Sequence, residues 1–298
     1  MSCRNIGRYS NAANRLIRVG RVLAVSIAVL TLNACGTQFA YNRVDWLMHH
    51  YLSNQVTLDA AQSHELRVYL DEFFVWHRQH ELPRYADFLD RVADATAKPI
   101  SLDEFEAGRH EVEGFMRTSV SQGAPSAARW LRSLRPAQVE ELFASFAEKE
   151  RESHAEACER DPEERRADNL ERMIDNVERW TGRLRSSQRT LIATRLAAFP
   201  GDSCAESDSD DARYTFRDIV DEYRSRPDFA QRITVFMTRP EDHGDEEYRR
   251  TFEANRDRFM LLLVDLNHSL SEEQRARAIK RLHSLSTDLR ELAAEPVS

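Results

Sequence analysis

Apolar residues after residue 40 recur at steps of three and four. Ala278, Leu282, Leu285, Leu289 and Leu292 are spaced 4, 3, 4 and 3 apart, the stripe of a single helix face. Leu82, Tyr85, Leu89 and Val92 repeat the pattern, as do Leu170, Met173, Val177, Trp180 and Leu184. Phe259 to Val264 is apolar all round, which predicts a central, buried helix. No stretch alternates with period two for long enough to argue a strand. The fold class expected is all-α, a multi-helix bundle or an elongated helical array.

Helix starts are marked repeatedly. Ser101-Leu102-Asp103-Glu104, Asp161-Pro162-Glu163-Glu164 and Ser271-Glu272-Glu273-Gln274 read as capping boxes, in which side chains satisfy the free amides of the first turn. A looser device recurs as a leucine followed four residues later by glutamine, at Leu58/Gln62, Leu134/Gln138, Leu184/Gln188 and Leu270/Gln274. Its unequal spacing excludes a fixed-period solenoid. The pattern predicts helices over 42–53, 58–97 with a kink at Pro83, 101–121, 126–133, 136–159, 163–181, 187–199, 212–225, 228–237, 243–267 and 272–293. The acidic segment 200–211 reads as a loop and a sub-boundary.

Composition narrows the function classes. Only 9 Gly and 9 Pro stand among 298 residues, with 31% charged and 41% hydrophobic, which disfavours hairpin-rich folds and excludes a multi-span membrane protein. Residues 1–34 hold five arginines and no acid, so residues 35–298 carry −13 of the formal total of −8. Arginine alternates with acids through 147–172, as on solvated helix faces, rather than clustering as nucleic-acid binding requires.

The first 34 residues read as a signal peptide. Arg15 to Arg21 precede an apolar run, Val22 to Leu30, which is too short to span a bilayer and is followed by Leu32-Asn33-Ala34-Cys35-Gly36. This resembles a bacterial lipobox. The resemblance implies removal of 1–34 and acylation of Cys35, palmitate included, with a periplasmic domain over 35–298 partnered with the membrane through that lipid. Gly36 stands where an aspartate would favour the inner membrane, so the outer membrane is the expected destination. In an oxidising compartment, Cys158 and Cys204 form a candidate disulfide. A straight helix would hold them about 50 Å apart, whereas a reversal near Gly182 would bring them back together.

Chemistry-bearing motifs are sparse. The sequence has no Gly-rich phosphate loop, no Gly-x-Ser-x-Gly elbow and no Cys-x-x-Cys. The densest polar-aromatic cluster runs from Trp76 to Tyr85, with His77, His80/Glu81 and Arg84 at helical spacing on one predicted face. Trp76, His77, Arg78, Arg84 and Tyr85 form a candidate interaction patch; no metal or cofactor is expected there. Ala40-Tyr41-Asn42-Arg43-Val44-Asp45-Trp46-Leu47, followed by Trp76-His77-Arg78 and Glu81-Leu82-Pro83-Arg84-Tyr85, resembles a family of uncharacterised all-helical bacterial lipoproteins. Leu270-Ser271-Glu272-Glu273-Gln274 is similar to the Leu-Thr-x-x-Gln signature of small periplasmic chaperones. The other three copies carry Asp59, Arg135 and Arg185 in place of the hydroxyl residue. The expected function is a non-enzymatic, membrane-anchored binder of other envelope proteins, as an assembly partner or a chaperone. The alternative is a small-ligand or metal-binding protein, or an enzyme, working at the His77–Arg84 cluster.

Overall fold

The computed structural model describes residues 41–199 and 215–295. Among them are ten α-helices and no strand. The helices are α1 (Val44–Ser53), α2 (Ala60–Thr96), α3 (Leu102–Ser133), α4 (Pro136–Glu159), α5 (Pro162–Thr181), α6 (Ser186–Ala197), α7 (Phe216–Tyr223), α8 (Phe229–Thr238), α9 (Glu246–Ser269) and α10 (Glu272–Ala294). The all-α expectation holds. The signal segment, Cys35, Cys204 and the loop over 200–211 lie outside the described residues.

The leucine stripe of α10 is buried as its spacing predicts, and it packs on Leu82 and Ala86 of α2. The two helices run antiparallel. Arg275 near the start of α10 reaches the carbonyls of Thr96 and Lys98 at the end of α2, while Arg290 pairs with Asp87 and Asp90 at 2.7 Å and Arg78 with Glu295 at 3.4 Å. α3 packs beside α2, and together the three helices form a shaft.

A separate core sits at each end. The first joins the start of α2, the end of α3, the start of α4, and α7 and α8, through Leu66, Trp130, Leu131, Leu134, Leu142, Ile219, Phe229 and Ile233. The second joins α5, α6 and α9 through Ile174, Leu184, Ile192, Leu262 and Leu266.

The four Leu/Gln helix starts meet in two pairs, one in each lobe. Gln62 Nε2 donates to Gln138 Oε1 at 3.0 Å, and Gln138 Nε2 returns a bond to Gln62 Oε1 at 2.7 Å. Each amide also donates to the carbonyl five residues before its partner, Ser133 at 2.8 Å and Thr57 at 2.7 Å. Each side-chain oxygen accepts the amide of its own N-cap residue, Asp59 at 3.1 Å and Arg135 at 2.8 Å. Gln188 and Gln274 repeat the scheme: reciprocal bonds of 2.9 and 3.1 Å, donation to Ser269 and Arg183, and acceptance from Arg185 and Ser271. All four glutamines are buried, and every donor and acceptor site of each amide is used. These are two clasps, each approximately twofold in its bonding. They stand at opposite ends of the shaft, up to about 50 Å apart at the helical rise over α2.

Two expectations need correction. The predicted break between residues 121 and 126 does not occur, because α3 continues through Pro125. Gly123 there lets the Phe73 ring of α2 come close; a Cβ would stand 3.4 Å from it. The run 259–264 is not buried all round: Met260 and Leu262 are, but Phe259 and Leu261 are 40% and 39% exposed. Gly182 does end α5, at φ +78°, where the guanidinium of Arg277 lies over it. A side chain there would have to displace that guanidinium and adopt a positive φ that L residues rarely take.

Candidate functional site

The Trp76–Tyr85 segment lies on the middle of α2, where helical periodicity sends its side chains in different directions. His77 turns inward and is clamped at both nitrogens. Its Nδ1 lies 2.8 Å from the Tyr41 hydroxyl and its Nε2 3.3 Å from the Tyr85 hydroxyl. Tyr41 also stacks on the imidazole at 6.0 Å, and Phe73, Phe74 and Tyr85 enclose it. Burial lowers the His77 pKa to about 4, so the ring is neutral at pH 7, donating through one nitrogen and accepting through the other. Burial likewise raises Tyr41, and raises Tyr85 to about 12.

Arg78 leaves this face and joins three parts of the chain. Its guanidinium donates to Asn42 Oδ1 at 2.6 Å, meets Glu295 at 3.4 Å and lies 5.3 Å over the Tyr41 ring. The side-chain amide of Asn42 completes the triangle by donating to Glu295 at 3.0 Å. The start of the described chain and the Trp76–Tyr85 segment thus pack against each other, Tyr41 on His77 and Asn42 on Arg78. That contact is made over 36 residues of sequence and is invisible to local spacing.

The remaining members of the cluster separate. Trp76 stacks at 5.7 Å on His80, which is exposed and bonds the Trp76 carbonyl at 3.0 Å. Glu81 is buried and accepts from Arg84 at 2.6 Å; the rest of Arg84 extends over the Phe115 ring at 5.1 Å. Tyr85 packs on Phe115 at 4.9 Å and lies 3.2 Å from the Ser119 hydroxyl. The single face expected for His77, His80/Glu81 and Arg84 is therefore split between the interior and solvent. A shallow hollow of about 340 Å³ lies beside it, lined by Arg84, Asp87, Arg91, Glu111, Gly114 and Phe115. Arg91 and Glu111 pair across it, and Asp87 is paired with Arg290.

Other polar groups were not singled out from the sequence. Asp90 accepts from Ser286 at 2.6 Å and lies 3.0 Å from His283. With the hydroxyl bonded to the carboxylate rather than to the imidazole, this Ser, His and Asp set is not a nucleophilic relay. Those bonds, with Arg290, hold Asp90 down at about 2. Among the described residues, no group of three or more His, Cys, Asp or Glu side chains is placed to hold a metal ion, and no helix is long and apolar enough to cross a membrane. Cys158 is disulfide-bonded, and Cys204, its expected partner, lies outside the described residues.

A family model described as a family of unknown function (DUF6279) matches residues 54–249. The chain belongs to that family. The DUF6279 match begins just after α1 and takes in the whole first clasp, Gln188 of the second, and the Trp76–Tyr85 segment; Gln274 falls beyond it. No curated protein and no solved structure matches the chain.

Proposed function

We propose that this DUF6279 chain is a lipid-anchored, non-enzymatic protein of the bacterial outer membrane. Residues 1–34 direct export and are removed, Cys35 carries the acyl chains, and the helical body faces the periplasm and binds other envelope proteins. The observation that carries this reading is the basic-then-apolar segment ending on Leu32-Asn33-Ala34-Cys35. Two or three acyl chains anchor a protein stably where one does so only marginally.

Two further features support a binding role. Leu270-Ser271-Glu272-Glu273-Gln274 is similar to the signature of small periplasmic chaperones, and the pairing of the glutamine helix starts ties the helices into two lobes. Trp76 and Arg84 are the accessible members of the candidate patch, whereas His77, Arg78 and Tyr85 are engaged by Tyr41, Asn42, Glu295 and Ser119. The second reading, a small-ligand site or enzyme, is favoured by the hollow beside Arg84.

Metabolic labelling with palmitate, followed by crosslinking of the full-length protein in its native envelope, tests the proposal. Label on the wild type that disappears in Cys35→Ala is expected. A single envelope protein captured in near-equal amount identifies an assembly partner, and a broad set indicates a chaperone. Loss of capture in a folded Trp76→Ala, Arg84→Ala variant would place the contact at that patch. Absence of label, or capture of nothing, would overturn the reading and leave the hollow to be titrated with small anions.

A further inference from the structure

The largest concentration of exposed apolar surface among the described residues is on α1. Trp46 is 58% exposed, Leu47 48%, Met48 41% and Tyr51 50%, all within a ten-residue helix that buries no residue. Elsewhere, large exposed apolar side chains come singly or in twos: Val68, Leu102, Val235 with Met237, and Phe259 with Leu261.

The helix is nonetheless firmly seated by its opposite side. His49 Nε2 bonds Ser63 of α2 at 3.0 Å, Asp45 faces Asp71 of α2, and Gln55, just beyond the helix, accepts from Ser145 of α4 at 2.9 Å. At 100° per residue, the outward arc runs through Trp46, His50, Leu47, Tyr51, Val44 and Met48, with no carboxylate on it. Trp46 stacks on His50 at 5.3 Å, and Lys149 lies 5.1 Å over the Tyr51 ring at the rim.

We infer that α1 lies on the membrane surface, with Trp46, Leu47, Met48 and Tyr51 inserted at the level of the lipid headgroups. The inference rests on acylation of Cys35. That residue is nine positions before Val44, so the linker spans at most about 30 Å and holds α1 beside the bilayer at high effective concentration. Tryptophan and tyrosine flanking leucine and methionine match the interfacial zone, where an aromatic ring is apolar at one end and hydrogen-bonded at the other. Lys149 at the rim suits the phosphate layer. The net charge of −13 over residues 35–298 opposes attraction to anionic lipid, so the contact is apolar and insensitive to salt. α1 runs alongside the first half of α2, from Tyr41 beside His77 to His49 at Ser63, so a helix lying on the bilayer sets the first-clasp half of the shaft along the membrane surface.

The test uses the full lipidated protein, purified from membranes and reconstituted into phosphatidylcholine vesicles brominated on the acyl carbons nearest the headgroups, with mass spectrometry of Cys35 on the same sample. Brominated lipid is expected to roughly halve the emission component that Trp46→Phe removes, at low and high salt alike. Leu47→Glu with Met48→Glu, checked for folding by circular dichroism, should abolish the quenching while the lipid stays attached. Lipidated protein whose Trp46 is not quenched overturns the inference and leaves the anchor standing. A Cys35 without lipid overturns both. Photo-crosslinking from position 47 in cells that captures a protein rather than lipid would mean that a partner covers the face.

Discussion

The two clasps are built alike and embedded differently. Each brings two helix starts together through a reciprocal pair of buried glutamines, and each makes the same three kinds of hydrogen bond twice over. The first is bordered by a solvent-exposed ion pair between its own N-cap residues, Arg135 and Asp59, at 3.1 Å. The second is joined to the shaft by a buried cation. Arg275, the residue after Gln274, donates to the carbonyls of Thr96, Lys98 and Asn267, at 3.1 and 2.9 Å for Nη1 and 2.5 Å for Nη2. No carboxylate is paired with it in that network. The C-terminal carbonyls of α2 and α9, which carry partial negative charge, hold it instead. Asn267 also accepts the Ile100 amide at 2.9 Å, and His268 bonds the Ile100 carbonyl at 2.8 Å. The comparison teaches that one polar device can close a lobe locally or couple it to a distant helix, depending on the residue next to it.

Breaking that difference should give the largest effect. Arg275→Met strands the buried carbonyls of Thr96 and Asn267 and frees that of Lys98, and is expected to cost about 3 kcal/mol in urea unfolding, with the loss concentrated in the second lobe and the end of α2. A pH titration instead probes the middle of the shaft, through His77. The native pKa of His77, about 4, lies below the ordinary 6.5, so the unfolded chain protonates first. Stability should fall by roughly 3 kcal/mol as pH drops from about 6.5 to about 4, with His77→Gln removing most of that slope, and fall further below pH 4 as Asp90, held down at about 2, is protonated.

Within the clasps, Gln62→Ala and Gln188→Ala should each cost about 2–3 kcal/mol. The double variants Gln62→Ala/Gln138→Ala and Gln188→Ala/Gln274→Ala should cost little more than the singles, a coupling of about 1–3 kcal/mol in a double-mutant cycle. Gly182→Ala, at the turn leading into the second clasp, should cost about 1–2 kcal/mol through its positive φ. Arg135→Ala should change stability by no more than about 0.5 kcal/mol, because the pair it breaks is exposed.

The helical fold was legible because burial follows a local period, as the α10 stripe and the Ser101 and Ser271 caps show. Gln62, Gln138, Gln188 and Gln274 were legible as helix starts. Their pairing was not, since a contact across 76 or 86 residues leaves no periodic trace. The break expected between residues 121 and 126 is bridged by a single helix that carries Pro125, and the closeness of Phe73 to Gly123 that accompanies it leaves no local trace in the sequence. The Trp76–Tyr85 cluster was found as a composition, but its division into an inward His77 and an outward Arg84 depends on Tyr41 and Phe115, which come from elsewhere in the chain. α1 was recognised as a helix, while its uncovered face became visible only once its neighbours were placed.

Native-state hydrogen exchange at the four N-cap amides tests the clasp account most directly, because each of those amides is bonded to a clasp glutamine. Asp59 and Arg135 should share one opening free energy, and Arg185 and Ser271 should share another, higher one set by Arg275. Four unrelated opening energies, or members of a pair that exchange independently, would contradict the claim that the glutamines act as reciprocal pairs.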